Sequence, residues 1–126
     1  MTEHNMTYQH YKILITINLL SKMHDYPSSQ GVYKILKGIQ DIESMKYANF
    51  PTFATFISVS YRRVTSMCKN LYSLELIKRI FNPEENVIYY CITPEGEKLA
   101  NKFVAEHGYP FKKNKLNVKK SYIHID

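Results

Sequence analysis

Arg62 and Arg63 stand two and three residues after Ser60. A serine so placed caps a helix, because its side-chain oxygen accepts a backbone N–H of the first turn. Arginines inside that turn face the positive end of the helix dipole, at a cost of roughly 0.3–1 kcal/mol each. The placement becomes favourable where an anion is bound, and the chemistry on offer is charge-assisted hydrogen bonding to phosphate. Val64, Met67, Cys68 and Leu71 recur at helical spacing and predict the buried side of the helix. Arg62, Thr65, Ser66, Lys69 and Ser73 then form its outer side. The plain alternative is a surface helix whose arginines are merely solvated.

Enzyme chemistry finds little support. The chain has four glycines in all and no phosphate-cradling glycine loop. His4, His10, His24, His107 and His124 lack metal-ligand spacing, so no metal and no cofactor are expected. Glu84, Glu85, Glu95 and Glu97 read as solvated or capping carboxylates rather than an acid/base pair. Cys68 and Cys91 have no CxxC spacing and are expected to be small core residues, as in a reduced, cytoplasmic protein. The apolar run 13–20 is too short to span a bilayer and is interrupted by Thr16 and Asn18, so no membrane association is expected.

The bulk properties agree with an anionic partner without identifying one. At 126 residues and 44% hydrophobic content, the chain can bury one core. Its net charge is +6, with a sequence pI near 9.2. The charge is uneven: Arg62, Arg63, Lys69, Lys78 and Arg79 stand against Glu75 alone within 60–79, and five lysines fall within 112–120.

Several elements must hold the candidate helix in place. Over 7–23 a helix is expected, with Tyr11, Leu14, Ile15 and Leu19 on one stripe and Ile13, Ile17 and Leu20 on another. Ile13, Ile15, Ile17 and Leu19 also alternate as a strand would. If helical, one stripe packs on the domain and the other on a partner subunit; the alternative is a helix wedged inside its own chain. A second helix is expected from Ser28 or Ser29 to about Ser44, with Val32, Ile35, Leu36, Ile39 and Ile42 buried and Gly38 as a weak point. A short helix is expected over 51–57. Beyond the candidate helix, 77–81 and 87–92 read as a hairpin around the loop NPEEN, with one of Tyr89 and Tyr90 facing the core. Thr93 caps a final helix with Pro94 at its first position, and Gly108 and Pro110 end it. The segment 111–126 reads as a basic arm along phosphates or a solubilising tail, and its SYIHID ending could add a strand.

The segment 51–99 resembles the winged-helix core of MarR-type transcription regulators. The likeness rests on Phe53, Ala54 and Ile57; Ser58, Val59 and Ser60; Val64, Met67 and Leu71; Leu76, Ile77, Lys78 and Arg79; and Ile92, Thr93, Pro94, Glu95 and Gly96. It covers a little over a third of the chain and keeps one register. Three positions depart from the pattern. Glu75 replaces the glycine that usually ends the recognition helix in a left-handed conformation. The wing tip carries Glu84 and Glu85 instead of an arginine, and only about thirty residues follow Gly96 for dimerisation helices.

The resemblance implies a mainly α fold with a small β-hairpin (α+β), a winged helix-turn-helix. The helix-turn-helix would span 51–74 and the wing 76–92, within a domain over 1–107 followed by a basic tail over 108–126. The expected function is sequence-specific recognition of double-stranded DNA by a dimeric repressor. Ser60, Tyr61, Arg62, Arg63, Thr65, Ser66, Lys69, Lys78 and Arg79 are the expected DNA-binding residues. A plasmid or viral partition or replication adaptor and a winged-helix protein-interaction module are the alternatives. No residue names a small-molecule effector.

Overall fold

Helix α1 (Tyr8–Lys22) is buried along most of its length, and the chain wraps around it. The computed structural model describes residues 6–109 and 111. After α1 come α2 (Ser29–Lys37), α3 (Ile42–Met45), α4 (Tyr61–Ser73), the antiparallel strands β1 (Ile77–Asn82) and β2 (Val87–Ile92), and α5 (Pro94–His107), an α+β arrangement. No described helix is long and apolar enough to cross a membrane.

Thr7 caps α1 and forms a reciprocal pair with His10, each side chain meeting the other's backbone N–H. Ile13, Leu14, Ile15, Ile17 and Leu20 are at most 2% exposed. Both stripes therefore pack within the protomer, against α2, α4, β2 and α5. The stripe expected to meet a partner subunit is covered by the chain itself. Tyr11 stacks on Phe103 of α5 with ring centroids 4.2 Å apart, and Phe111 joins the same aromatic group beside Tyr8.

Helix α2 starts at Ser28, whose side chain accepts the Gly31 N–H, and stops at Gly38 with φ of 79°. The expected extension to Ser44 does not form, because Gly38 takes the left-handed geometry that ends helices. Asp41 then caps the separate, short α3, and hydrogen bonds from Ser44 and Lys34 lower its pKa. The break shifts the helical phase and leaves Ile42 89% exposed rather than buried.

The helix expected over 51–57 is replaced by consecutive turns. Ala54 has φ of 60°, and its N–H and that of Phe56 donate to the carbonyls of Ile35 and Leu36, each at 2.9 Å. Those carbonyls belong to the last turn of α2, where Ile35 is otherwise met only by the Gly38 cap N–H at 3.2 Å. Backbone donors that would have built a helix thus close the end of another one. Thr52 and Thr16 bond side chain to side chain at 2.6 Å, tying the turn segment to α1. Among the elements packed against α4, α2 contributes most, so the tight two-helix unit expected over 51–74 is not formed locally.

The exit from α4 is a left-handed turn at Glu75, φ 63°. The Glu75 N–H donates to the Tyr72 carbonyl at 2.9 Å and the Leu76 N–H to the Leu71 carbonyl at 3.0 Å, the two bonds of a Schellman motif. Leu71 and Leu76 share the core, supplying the apolar contact that accompanies it. Next, the Leu76 carbonyl accepts the Thr93 N–H at 3.2 Å, while the Thr93 hydroxyl donates to the Glu75 carbonyl at 2.8 Å. Gly96 sits over this crossing so closely that a Cβ there would lie 1.9 Å from the Leu76 oxygen. In the hairpin, Ile77 pairs with Ile92 and Asn82 with Val87; Tyr90 is the buried tyrosine and Tyr89 the half-buried one.

Lys12 is buried on α1 and donates to the Thr55 carbonyl at 2.8 Å, with the rings of Phe56 and Phe111 5.3 and 5.5 Å from its Nζ. Burial lowers its pKa. Between the folded and unfolded values the unfolded chain holds the proton and the folded chain does not, so stability rises as pH climbs through that window. Urea midpoints taken from neutral pH to about pH 10 should rise for the wild type relative to Lys12→Met. Parallel profiles would show that the buried ammonium is not penalised.

A left-handed residue with a Cβ costs roughly 1–2 kcal/mol. Glycine's extra chain entropy offsets about 0.5–1 kcal/mol of that. Glu75→Gly should therefore stabilise the fold by up to about 1 kcal/mol, a rise of about 4 °C in thermal midpoint. A fall would contradict the left-handed exit.

Candidate nucleic-acid interface

Helix α4 is fixed from three sides. Val64, Met67, Cys68 and Leu71 are buried as their spacing predicted. His10 of α1 meets the Asn70 side chain, Nε2 to Oδ1 at 3.3 Å. From α2, Ser29 lies 3.3 Å from the Tyr61 hydroxyl and accepts from Thr65 Oγ1 at 3.5 Å, and Tyr33 meets the Tyr61 ring edge-on at 5.8 Å. The contacts from α2 orient the first two turns of α4 and that from His10 its last, and no periodicity in the sequence announces them.

Ser60 is the N-cap: its Oγ accepts the Arg63 N–H at 3.1 Å. Its hydroxyl proton stays free to be donated outward. Tyr61, Arg62, Thr65, Ser66 and Lys69 line one open depression of about 370 Å³. Tyr61, Arg62, Ser66 and Lys69 are exposed, and Thr65 is half-buried with its hydroxyl donating to the Tyr61 carbonyl at 3.0 Å. Arg63 is exposed on the flank of the helix, outside that depression. Among the described residues no carboxylate pairs with Arg62, Arg63 or Lys69, and the first turn of α4 holds no acid. Three cations and the positive end of a helix thus share one surface without compensation.

The two hairpin cations separate. Arg79 pairs with Tyr90 across the ladder and stacks on Tyr72 of α4, its Cζ 3.9 Å from the ring centroid. Lys78, next to it in the strand, projects from the opposite face. It lines a second depression with Tyr72, Ser73, Glu75, Ile77, Thr93 and Glu95. The structure therefore brings together Ser60 through Lys69 and places Arg79 and Lys78 at the C-terminal end of α4, on opposite faces of β1.

Cys68 is buried, and desolvation pushes its thiol up to about 12, which leaves it inert at neutral pH. A cleft of about 300 Å³ opens between the 25–28 turn, α2 and β2, lined by Leu20, Tyr26, Pro27, Lys34, Tyr47 and Tyr89 among others. Of its two cations, Lys34 is already bonded to Asp41 at 3.1 Å and Lys46 lies over the Tyr47 ring. Among the described residues no cluster of three or more His, Cys, Asp or Glu could hold a metal ion. The expected basic arm lies outside the described residues, apart from buried Phe111 at its start.

Compared with protein-family models, curated proteins and solved structures, the chain matches none of them.

Removing the cap at the head of this surface should cost about 1 kcal/mol. Chemical denaturation of Ser60→Ala checks this: unchanged stability would mean that the Arg63 N–H finds water equally well.

Proposed function

We propose that this chain is a sequence-specific double-stranded-DNA-binding transcription regulator of winged helix-turn-helix type, a dimeric repressor working in the cytoplasm. One observation carries the reading: Tyr61, Arg62, Thr65, Ser66 and Lys69 converge on one depression at the uncompensated positive end of α4. A helix presenting that end to the major groove meets phosphates at the rim and base edges on the floor. In this reading Arg62, Thr65, Ser66 and Lys69 read bases, with Tyr61 at the groove edge, while Ser60 and Arg63 hold flanking phosphates. Arg79 and Lys78 reach the backbone from the hairpin. The left-handed turn at Glu75 and the close approach of Gly96 support the MarR-type resemblance, because they give its motif positions a physical reason. The helix partnering α4 is then α2, joined to it by the long turn-rich connection over 38–60. A dimer would set two copies of α4 about one DNA turn apart, roughly 34 Å, on a near-palindromic site.

A second reading is favoured by the hairpin tip. Phe81 is 56% exposed and Ile88 38%, beside Glu84 and Glu85, a surface suited to protein and ill suited to phosphate. A winged helix used only for protein contact would fit it.

Duplexes selected from a random library, titrated beside scrambled ones over a salt series, separate these readings. Arg62→Ala should lose about tenfold or more in discrimination. Arg63→Ala should weaken both duplexes alike and lower the salt slope by about one. Unchanged operator affinity for Arg62→Ala at fixed salt would refute the base-reading role. Absence of DNA binding even at low salt would select the protein-contact reading.

A further inference from the structure

The two-stranded sheet has unequal edges. On the outer side of β2, the Tyr90 N–H donates to the Pro27 carbonyl at 2.7 Å and the Ile92 N–H to Ser21 Oγ at 3.0 Å. Because the Tyr90 N–H points away from β1, its ladder partner Arg79 also turns its N–H and C=O away from the hairpin. Phe81, two residues on, does the same. No described residue bonds to that edge of β1. It is flanked by Ile80 and Phe81, 39% and 56% exposed.

A lysine on an open edge normally discourages pairing. Here the charge is polarised along the strand: Lys78 and Arg79 stand at its base, and Glu84 and Glu85 just past its tip. A parallel neighbour of the same sequence would set like charges together. An antiparallel neighbour sets base against tip, which makes this edge complementary to itself.

We propose that β1 pairs with β1 of a second copy of this chain, antiparallel about a two-fold axis at Ile80. Ile80 then faces its own copy, and Arg79 pairs with Phe81 of the other chain, extending the stack on Tyr72. Lys78 sits opposite Asn82 of the other chain, within a diagonal step of Glu84. The hairpins become one four-stranded sheet, and every outward N–H of β1 within the pairing gains an acceptor. This supplies the two-fold contact that α1, buried in its own protomer, leaves unfilled. Two six-residue edges bury less than the roughly 1,600 Å² of a standard interface. The dimer is accordingly weak and concentration-dependent, tightening when two sites on one duplex bring the copies together. The pairing shares Lys78 and Arg79 with the DNA reading but leaves Ser60 through Lys69 free, so loss of the dimer with half-site binding retained, or the reverse, tells the two apart.

Sedimentation equilibrium of the full chain over a wide concentration range tests it, with circular dichroism confirming that each variant is folded. The wild type should show a monomer–dimer equilibrium. Ile80→Lys should weaken the dimer by about tenfold or more, since it sets like charges together on the axis. Lys78→Glu and Glu84→Lys should each weaken it, and the two together should restore it, because the exchange keeps base and tip opposite in sign. Binding of Ile80→Lys to a single half-site should stay at the wild-type level, which isolates α4 from the interface. A wild type that is monomeric throughout would overturn the proposal and leave the edge to the 112–126 segment or to another protein. A dimer indifferent to Ile80→Lys, or charge-reversed variants whose effects merely add, would overturn it equally.

Discussion

The backbone crossing at Leu76 is the constraint on which the arrangement of the other elements depends. Its N–H closes the end of α4, its carbonyl receives the backbone that leads into α5, and Gly96 lies against that same oxygen. Three directions, those of α4, the hairpin and α5, are therefore set by one peptide unit and its neighbours. Side chains reinforce the crossing: Thr93 both caps α5 and ties it to Glu75. The surface formed by Ser60 through Lys69 depends on this crossing and His10 at the C-terminal end of α4 and on Ser29 and Tyr33 at the other.

Much of that geometry was legible because it is written in local chemistry. Ser60 and Thr93 cap the helices their positions announced, and Ser28, one of the two candidates, caps α2; Gly38, read as a weak point inside a longer helix, is where α2 ends. The inward residues of α4 follow from spacing alone, as do the strands around NPEEN. Glu75 was a departure from the resembled pattern and left the helix exit open; the chain takes the left-handed conformation there with glutamate. A Cβ in the left-handed region is affordable when two backbone bonds and an apolar contact close the turn around it.

The remainder was hidden because it depends on distant partners. Residues 51–57 have apolar spacing suited to a helix, yet the N–H groups of Ala54 and Phe56 are taken by the carbonyls at the end of α2. Periodicity cannot register that competition. In the same way, the two stripes on α1 looked like one too many for a small domain until α5 and Phe111 covered the second. Lys12 carries no periodic signal at all, yet aromatic rings and the Thr55 carbonyl enclose it. Among the candidate site residues, Lys78 and Arg79 were read as a pair, but adjacency along a strand sends them to opposite faces.

The enclosure of α1 has a consequence for how the chain comes to be folded. During synthesis α1 leaves the ribosome ahead of every element that covers it, and α5 and Phe111 follow only after some eighty further residues. Until then α1 is covered by α2, α4 and the hairpin on one side only, and no N-terminal portion of the domain can complete the core. Folding must wait for nearly the whole domain and then proceed as one cooperative event. In the interval the nascent chain is a natural client for chaperones that hold apolar segments.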